Sequence, residues 1–170
     1  MNQLAVVIDT SVFMDYLNPD KNTNDHIDTL LSVLGKKKYH LCVDKDDRIK
    51  SQYEDRIRPI IKNRDEGGFE RKVLEYWLDA SPKLPMEVDM GDALMVGIKG
   101  IIVEQKESLD RIFVYVAILA DTKLITNDGI HIVQRRQDLR NLAKKQKPKK
   151  KNVDFMTSEQ AAGDLASWPS

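Results

Sequence analysis

Four carboxylates stand where they could share one metal ion: Asp9, Glu54, Asp110 and Asp128. Carboxylates packed close together repel and raise one another's pKa unless a cation is present. Mg²⁺ or Mn²⁺ is the natural cation for such a set, because it takes hard oxygen ligands and keeps several waters. His26, His40 and His131 show no metal-binding spacing, and Cys42 is the only cysteine, so no histidine or thiolate set competes. Each acid also has a purely structural reading. Asp9, or Thr10 or Ser11 after it, fits a helix cap. Ser51-Gln52-Tyr53-Glu54 fits a capping box. Asp110 falls in a first helical turn, where a carboxylate complements the helix dipole. Asp128-Gly129 is a hairpin-type turn signal. With 27 acids in 170 residues, one acid in any given place means little. Their order and the elements that carry them are what distinguish these four.

The elements can be read in chain order. Leu4-Ala5-Val6-Val7-Ile8 is short, apolar and not alternating, which predicts a strand covered on both faces of a parallel sheet. Asp9 then sits where the strand emerges, and open parallel sheets bind ligands just outside their carboxyl ends. Val12, Phe13, Tyr16 and Leu17 repeat at helical spacing until Asn18-Pro19. A second helix is expected over 25–35, with Gly35 as its stop. Tyr39-His40-Leu41-Cys42-Val43 reads as a strand running into Asp44, Asp46 and Asp47. The next helix, 47–61, turns Ile49, Tyr53, Ile57 and Ile60 inward and carries Glu54; Pro59 kinks or restarts it.

A charged linker over 63–68 leads to a helix over 69–80, whose face of Phe69, Val73, Tyr76 and Trp77 reads as core and not as a stacking platform for bases. Pro82 and Pro85 end it. Periodicity leaves strand and helix open for Ala93-Leu94-Met95-Val96 and for Ile101-Ile102-Val103. A strong apolar helix over 110–120 then leads into Lys123-Leu124-Ile125-Thr126-Asn127-Asp128, a strand ending in an acid as the first one does. A basic helix over 131–143 and a lysine-rich run over 144–151 follow. Val153-Asp154-Phe155-Met156 is a last strand, and Thr157-Ser158-Glu159-Gln160 a capping box that opens the final helix.

Strands alternating with helices predict an α/β fold: a three-layer sandwich with a mainly parallel sheet of four to five strands between helices, in one domain over 1–170. Hydrophobic residues at 41% and charged residues at 32% are ordinary for a globular chain. Lys plus Arg and Asp plus Glu are 27 each, so the formal net charge is zero. That excludes a generic polycation and leaves nucleic-acid contact to a local patch. A single cysteine points to a reducing compartment. The first apolar run is too short for a signal peptide, and the longest, 112–120, is far short of a membrane span, so a cytoplasmic protein without membrane contact is expected.

In these features the chain resembles the PIN domain family. The resemblance lies in the strand ending Asp9-Thr10-Ser11, in Tyr53-Glu54 within the helix after the second strand, in Asp110 followed by its apolar helix, in Leu124-Ile125-Thr126-Asn127-Asp128, and in the closing strand with its Thr157-headed helix. The long middle, 63–107, and the lysine-rich insertion depart from the family's short forms. The resemblance implies a metal-dependent endoribonuclease that cleaves RNA phosphodiester bonds. Many such proteins are toxins of bacterial toxin–antitoxin pairs, so it also implies a cognate antitoxin, another regulatory protein or a second copy of the chain as partner.

On this reading Asp9, Asp110 and Asp128 contact Mg²⁺ or Mn²⁺, Glu54 contacts the metal or positions water, and Thr10, Ser11 and Thr126 support water or a phosphate oxygen. Asp92, Asp44 and Glu107 stand in reserve. Lys144, Lys145, Lys147, Lys149, Lys150 and Lys151 either form a solvated loop or bind the RNA backbone. Two alternatives stand beside the nuclease. One is a non-catalytic binding or scaffold module of the same fold. The other is a phosphatase of the haloacid-dehalogenase type, which wants a second Asp where Ser11 stands.

Overall fold

In the computed structural model, which describes residues 4–18, 24–63, 68–104, 106 and 108–168, five strands form one sheet. They are β1 (Ala5–Ile8), β2 (His40–Asp44), β3 (Lys83–Met86), β4 (Lys123–Ile125) and β5 (Asp154–Met156). Their order is β3-β2-β1-β4-β5 and every pairing is parallel. Val7 lies opposite Leu124, and Val6 opposite Leu41. Val6, Val7 and Ile8 are fully buried, as the unalternating apolar run of a central parallel strand requires. A parallel sheet collects all five carboxyl ends on one edge. The expected α/β sandwich is the observed one.

On the acid-bearing side of β1, α1 (Thr10–Leu17) starts directly from the strand. The helix α2 (Asn24–Lys36) packs with α1, α5 (Phe69–Glu75) and α9 (Ser158–Asp164). The helix α7 (Ser108–Leu119) lies across β2, β1 and β4, where Ile112 through Ile118 are all buried. Beside it pack α3 (Arg48–Arg56) and α6 (Ala93–Ile101), and α8 (Arg136–Lys144) packs on α6 and β5. Among the described residues no helix is long and apolar enough to cross a membrane.

Several local expectations need correction. The helix α2 runs through Gly35, and the chain turns instead at Lys38, with φ 57. Gly35 serves packing: a Cβ there would lie 3.1 Å from Tyr76 Cε1, and the Tyr76 hydroxyl donates to the Gly35 carbonyl at 3.3 Å. The helix expected over 47–61 breaks at Ile57 into α3 and α4 (Arg58–Lys62), with Pro59 in the first turn of the second piece. It begins at Arg48, so no capping box starts at Ser51. In the segment 69–80, α5 gives way to a π-turn at Tyr76–Ala80, and the buried residues are Leu74, Trp77 and Leu78, whereas Phe69 is 59% exposed.

Pro85 does not exclude a strand: it sits in β3 on the sheet edge, opposite Val43, where a missing N–H costs no ladder bond. Residues 93–101, open between strand and helix, are helical, and Asp92 caps them by accepting from Met95 N at 2.8 Å. The basic helix is shorter than 131–143, with a 3₁₀ turn at Val133–Arg135 before α8. The Thr157 capping box forms with both bonds: Gln160 N donates to Thr157 Oγ1 at 3.2 Å, and Thr157 N to Gln160 Oε1 at 3.1 Å. Most of the linker at 63–68 lies outside the described residues.

Candidate metal centre

The strand order reverses direction between β1 and β4. From β1 the chain moves outward to β2 and β3; from β4 it moves the other way, to β5. Such a switch point opens a crevice at the carboxyl edge of the sheet. Asp9 leaves β1 there and Thr126, Asn127 and Asp128 leave β4 there, adjacent because Ile8 pairs with Ile125. Asp9 N donates to the Ile125 carbonyl at 2.9 Å, which extends the ladder one step into the acids.

Asp9 is 5% exposed. It caps α1 through Ser11 N at 3.3 Å, as its structural reading has it. Its Oδ2 also accepts from the Ser11 hydroxyl at 2.9 Å and from the Thr126 hydroxyl at 2.6 Å. Ser11 Oγ in turn accepts from Asn127 N, and Thr126 Oγ1 from Asp128 N, both at 3.0 Å. The two hydroxyls therefore tie the β1 and β4 ends together around one carboxylate. Burial pushes the Asp9 carboxyl above its ordinary pKa, hydrogen bonds from Thr126 and Ser11 pull it back, and the Asp128 charge nearby raises it further. Tyr53, fully enclosed beneath this turn, donates its hydroxyl to the Ile8 carbonyl and packs edge-on against Phe13 at 5.4 Å. Burial and the Asp9 charge raise its pKa well above the usual phenol value, so it remains a neutral donor.

Asp110, Asp128 and His131 each offer one ligand atom, and these atoms lie within 4.8 Å of one another. All three residues are half-buried, and Oδ2 of Asp110 is shut off from solvent. Oδ1 of Asp128 accepts from Ile130 N at 3.1 Å and His131 N at 2.9 Å, and its Oδ2 lies 2.9 Å from His131 Nδ1. Atoms gathered this closely could converge on one divalent cation. The donor set fits a divalent ion: two carboxylates suit Mg²⁺ or Mn²⁺, and an imidazole nitrogen also admits a softer ion such as Fe²⁺ or Zn²⁺. Sequence spacing assigns His131 no metal-binding role, yet the fold brings its ring beside the two carboxylates. Its signal was the i, i+3 spacing from Asp128, which gains meaning only once the chain after β4 closes into a turn.

Glu54 is engaged elsewhere. Both its oxygens accept from Arg58, at 2.8 and 2.9 Å, and Arg58 reaches on to Asp79 at 2.6 and 2.9 Å. The Arg58 guanidinium holds the Glu54 carboxyl below its usual value. The α3 residue that touches the crevice is Gln52, whose Oε1 accepts from the Thr10 hydroxyl at 2.6 Å. Of the reserve acids, Asp44 is 1% exposed and caps α3 through Arg48 N and Ile49 N. Asp92 caps α6 and accepts from the Tyr115 hydroxyl at 2.6 Å. Glu107 lies outside the described residues. Asn127, unmarked in the sequence, joins three elements: its Nδ2 donates to Asp15 at 2.8 Å, and its Oδ1 accepts from Ser158 N and Oγ.

The lysine run lies at the other end of the sheet. Lys150 Nζ donates to the Leu119 carbonyl at the end of α7 at 2.9 Å, and Lys151 N to Asp121 Oδ1 at 2.8 Å, just before β4 begins. Lys144, Lys150 and Lys151 line a cleft with Lys123 and Asp154, the first residues of β4 and β5. Asp110 in the first turn of α7 and Leu119 at its end are about 14 Å apart along the axis, at 1.5 Å per residue. No protein-family model, no curated protein and no solved structure matches the chain.

Proposed function

We propose that this protein is a metal-dependent endoribonuclease whose centre is Asp9, Asp110, Asp128 and His131. The observation that carries the reading is the meeting of Asp110, Asp128 and His131 within 4.8 Å at the switch point, with Asp9 tied to the same turn through Thr126. A divalent cation bound there would lower the pKa of a bound water and neutralise charge on a phosphodiester under in-line attack. The chain's own residues supply orientation. Ser11 and Thr126 hold one oxygen of Asp9, and His131 with its backbone N–H fixes the Asp128 carboxylate. Glu54 has no part in this mechanism, because Arg58 takes both of its oxygens.

One observation favours a non-catalytic module: Asp9 and Asp128 both cap local backbone, as purely structural acids do. The phosphatase alternative is weaker, since the hydroxyl of Ser11, two residues after Asp9, donates to Asp9 where that chemistry wants a second acid. Incubation with mixed RNA, with Mn²⁺ and with excess chelator, tests the proposal. Cleavage that requires the metal is expected; undiminished cleavage in chelator, or none in either condition, would overturn it.

A further inference from the structure

The acidic crevice cannot hold RNA unaided, because a phosphate backbone is repelled by the carboxylates it must approach. The chain as a whole offers no compensating attraction, with a formal net charge of zero. Its cations are concentrated: residues 140–151 hold seven Lys and Arg and no acid, so the rest carries seven more acids than bases. That segment lies at the amino end of the sheet, away from the crevice, and it is a built surface. Asp121 anchors it by accepting from Lys151 N, Asn152 N and Asn152 Nδ2 at 2.8, 3.0 and 3.2 Å. Lys150 is pinned to Leu119, and the Lys123 ammonium sits 4.9 Å from the centre of the Trp168 ring. Arg140, in the same cleft, pairs with its one carboxylate, Asp154. Exposed Lys144 and Lys151 remain on its rim to meet an anion.

We infer that this cleft, at the opposite edge of the sheet from the acids, anchors the phosphate backbone of single-stranded RNA. The inference rests on the nuclease reading for the identity of the polyanion. It also adds a geometric requirement. A strand that engages both edges must cover at least ~14 Å, more than one nucleotide, so anchoring and cleavage fall on different parts of one molecule.

The test compares two variants of equal charge, K144S/K151S in the cleft and K145S/K149S in the same run outside it. Both leave Lys150 and its bond to Leu119 in place. Binding of a fluorescent 20-nucleotide oligouridylate is measured by anisotropy in chelator, where metal-dependent cleavage cannot intervene. The cleft pair should weaken binding about tenfold or more and reduce the salt slope by about 1.4, at roughly 0.7 per phosphate contact for single strands. The outside pair should change affinity less than about twofold, and K144R/K151R should restore it. Equal loss in both pairs, or loss in neither, would overturn the inference. So would displacement of the RNA by polyglutamate at matching concentration, which would mark the cleft as a site for acidic protein. Cleavage by the wild type with equal loss in both pairs leaves the nuclease reading standing and removes the anchor. Selective loss in the cleft pair without any cleavage does the reverse.

Discussion

Replacing Asp9 by Asn separates a helix cap from a metal ligand, because Asn caps nearly as well as Asp but binds Mg²⁺ or Mn²⁺ poorly. If Asp9 only capped α1, the variant would keep both fold and activity. As a ligand in a crowded acidic site it should lose RNA cleavage by ~100-fold or more, and Asp128→Asn should do the same. Stability of the metal-free protein should stay level or rise in Asp9→Asn, since a carboxylate whose pKa is raised by burial is removed. Cleavage rates beside metal-free melting curves check both halves, and full activity in Asp9→Asn would take Asp9 out of the site. The place of Asp9 at the strand end was legible because three signals coincided: an apolar strand, an acid at its end and hydroxyls immediately after. The approach of His131 was not, because Asp110 is 21 residues distant in sequence, in the first turn of α7, whereas His131 lies in the turn after β4.

The helix α3 illustrates how an element decides a residue's role. Asp44 caps it at Arg48 and Ile49, which fixes its rotation so that Ile49 and Tyr53 face the core and Gln52 meets Thr10. Glu54 follows Tyr53 by one residue, about 100° around the helix at 3.6 residues per turn, and reaches Arg58 instead of the crevice. The sequence permitted that register but could not select it, because the capping acid lies in the preceding strand and not in the helix. The Thr157 box, by contrast, was readable in full, since donor and acceptor lie three residues apart. Arg58→Gln should cut the tie between α3, α4 and the π-turn at a cost of ~0.2–1 kcal/mol near neutral pH, the range of exposed ion pairs. Arg58 lowers the carboxyls of Glu54 and Asp79, so this stability is fully present above the unfolded carboxylate value near 4 and is lost as pH falls through the folded values. Denaturant melts of both proteins should therefore differ at pH 7 and draw together as pH falls from about 4 through the lowered folded values. Glu54→Gln should leave metal-dependent cleavage unchanged.

At the scale of the molecule, the alternation of strands and helices made the fold readable, and the observed sheet has the expected parallel character. The distribution of charge was not readable, since only the folded chain puts the lysine run and the carboxylates at opposite ends of one sheet. A metal that binds the folded state alone should raise the melting temperature as Mn²⁺ is added, by the equivalent of ~2.7 kcal/mol at a hundredfold excess over the dissociation constant. Asp128→Asn should lose most of that gain, and an unshifted wild-type melt would count against any metal at the crevice. The separation of charge has a consequence for how copies of the protein meet. With no net charge to keep molecules apart, the lysine-bearing pole of one can rest on the carboxylate pole of the next. Such a contact joins unlike surfaces and leaves a free pole of each sign, so it propagates into open stacks instead of closing as a dimer. Salt near 0.15 M, which screens charges beyond about 8 Å, should dissolve them. Light scattering that climbs as the protein is dialysed into dilute buffer, and falls again when sodium chloride is restored, is the behaviour expected of a neutral chain folded into an electrical dipole.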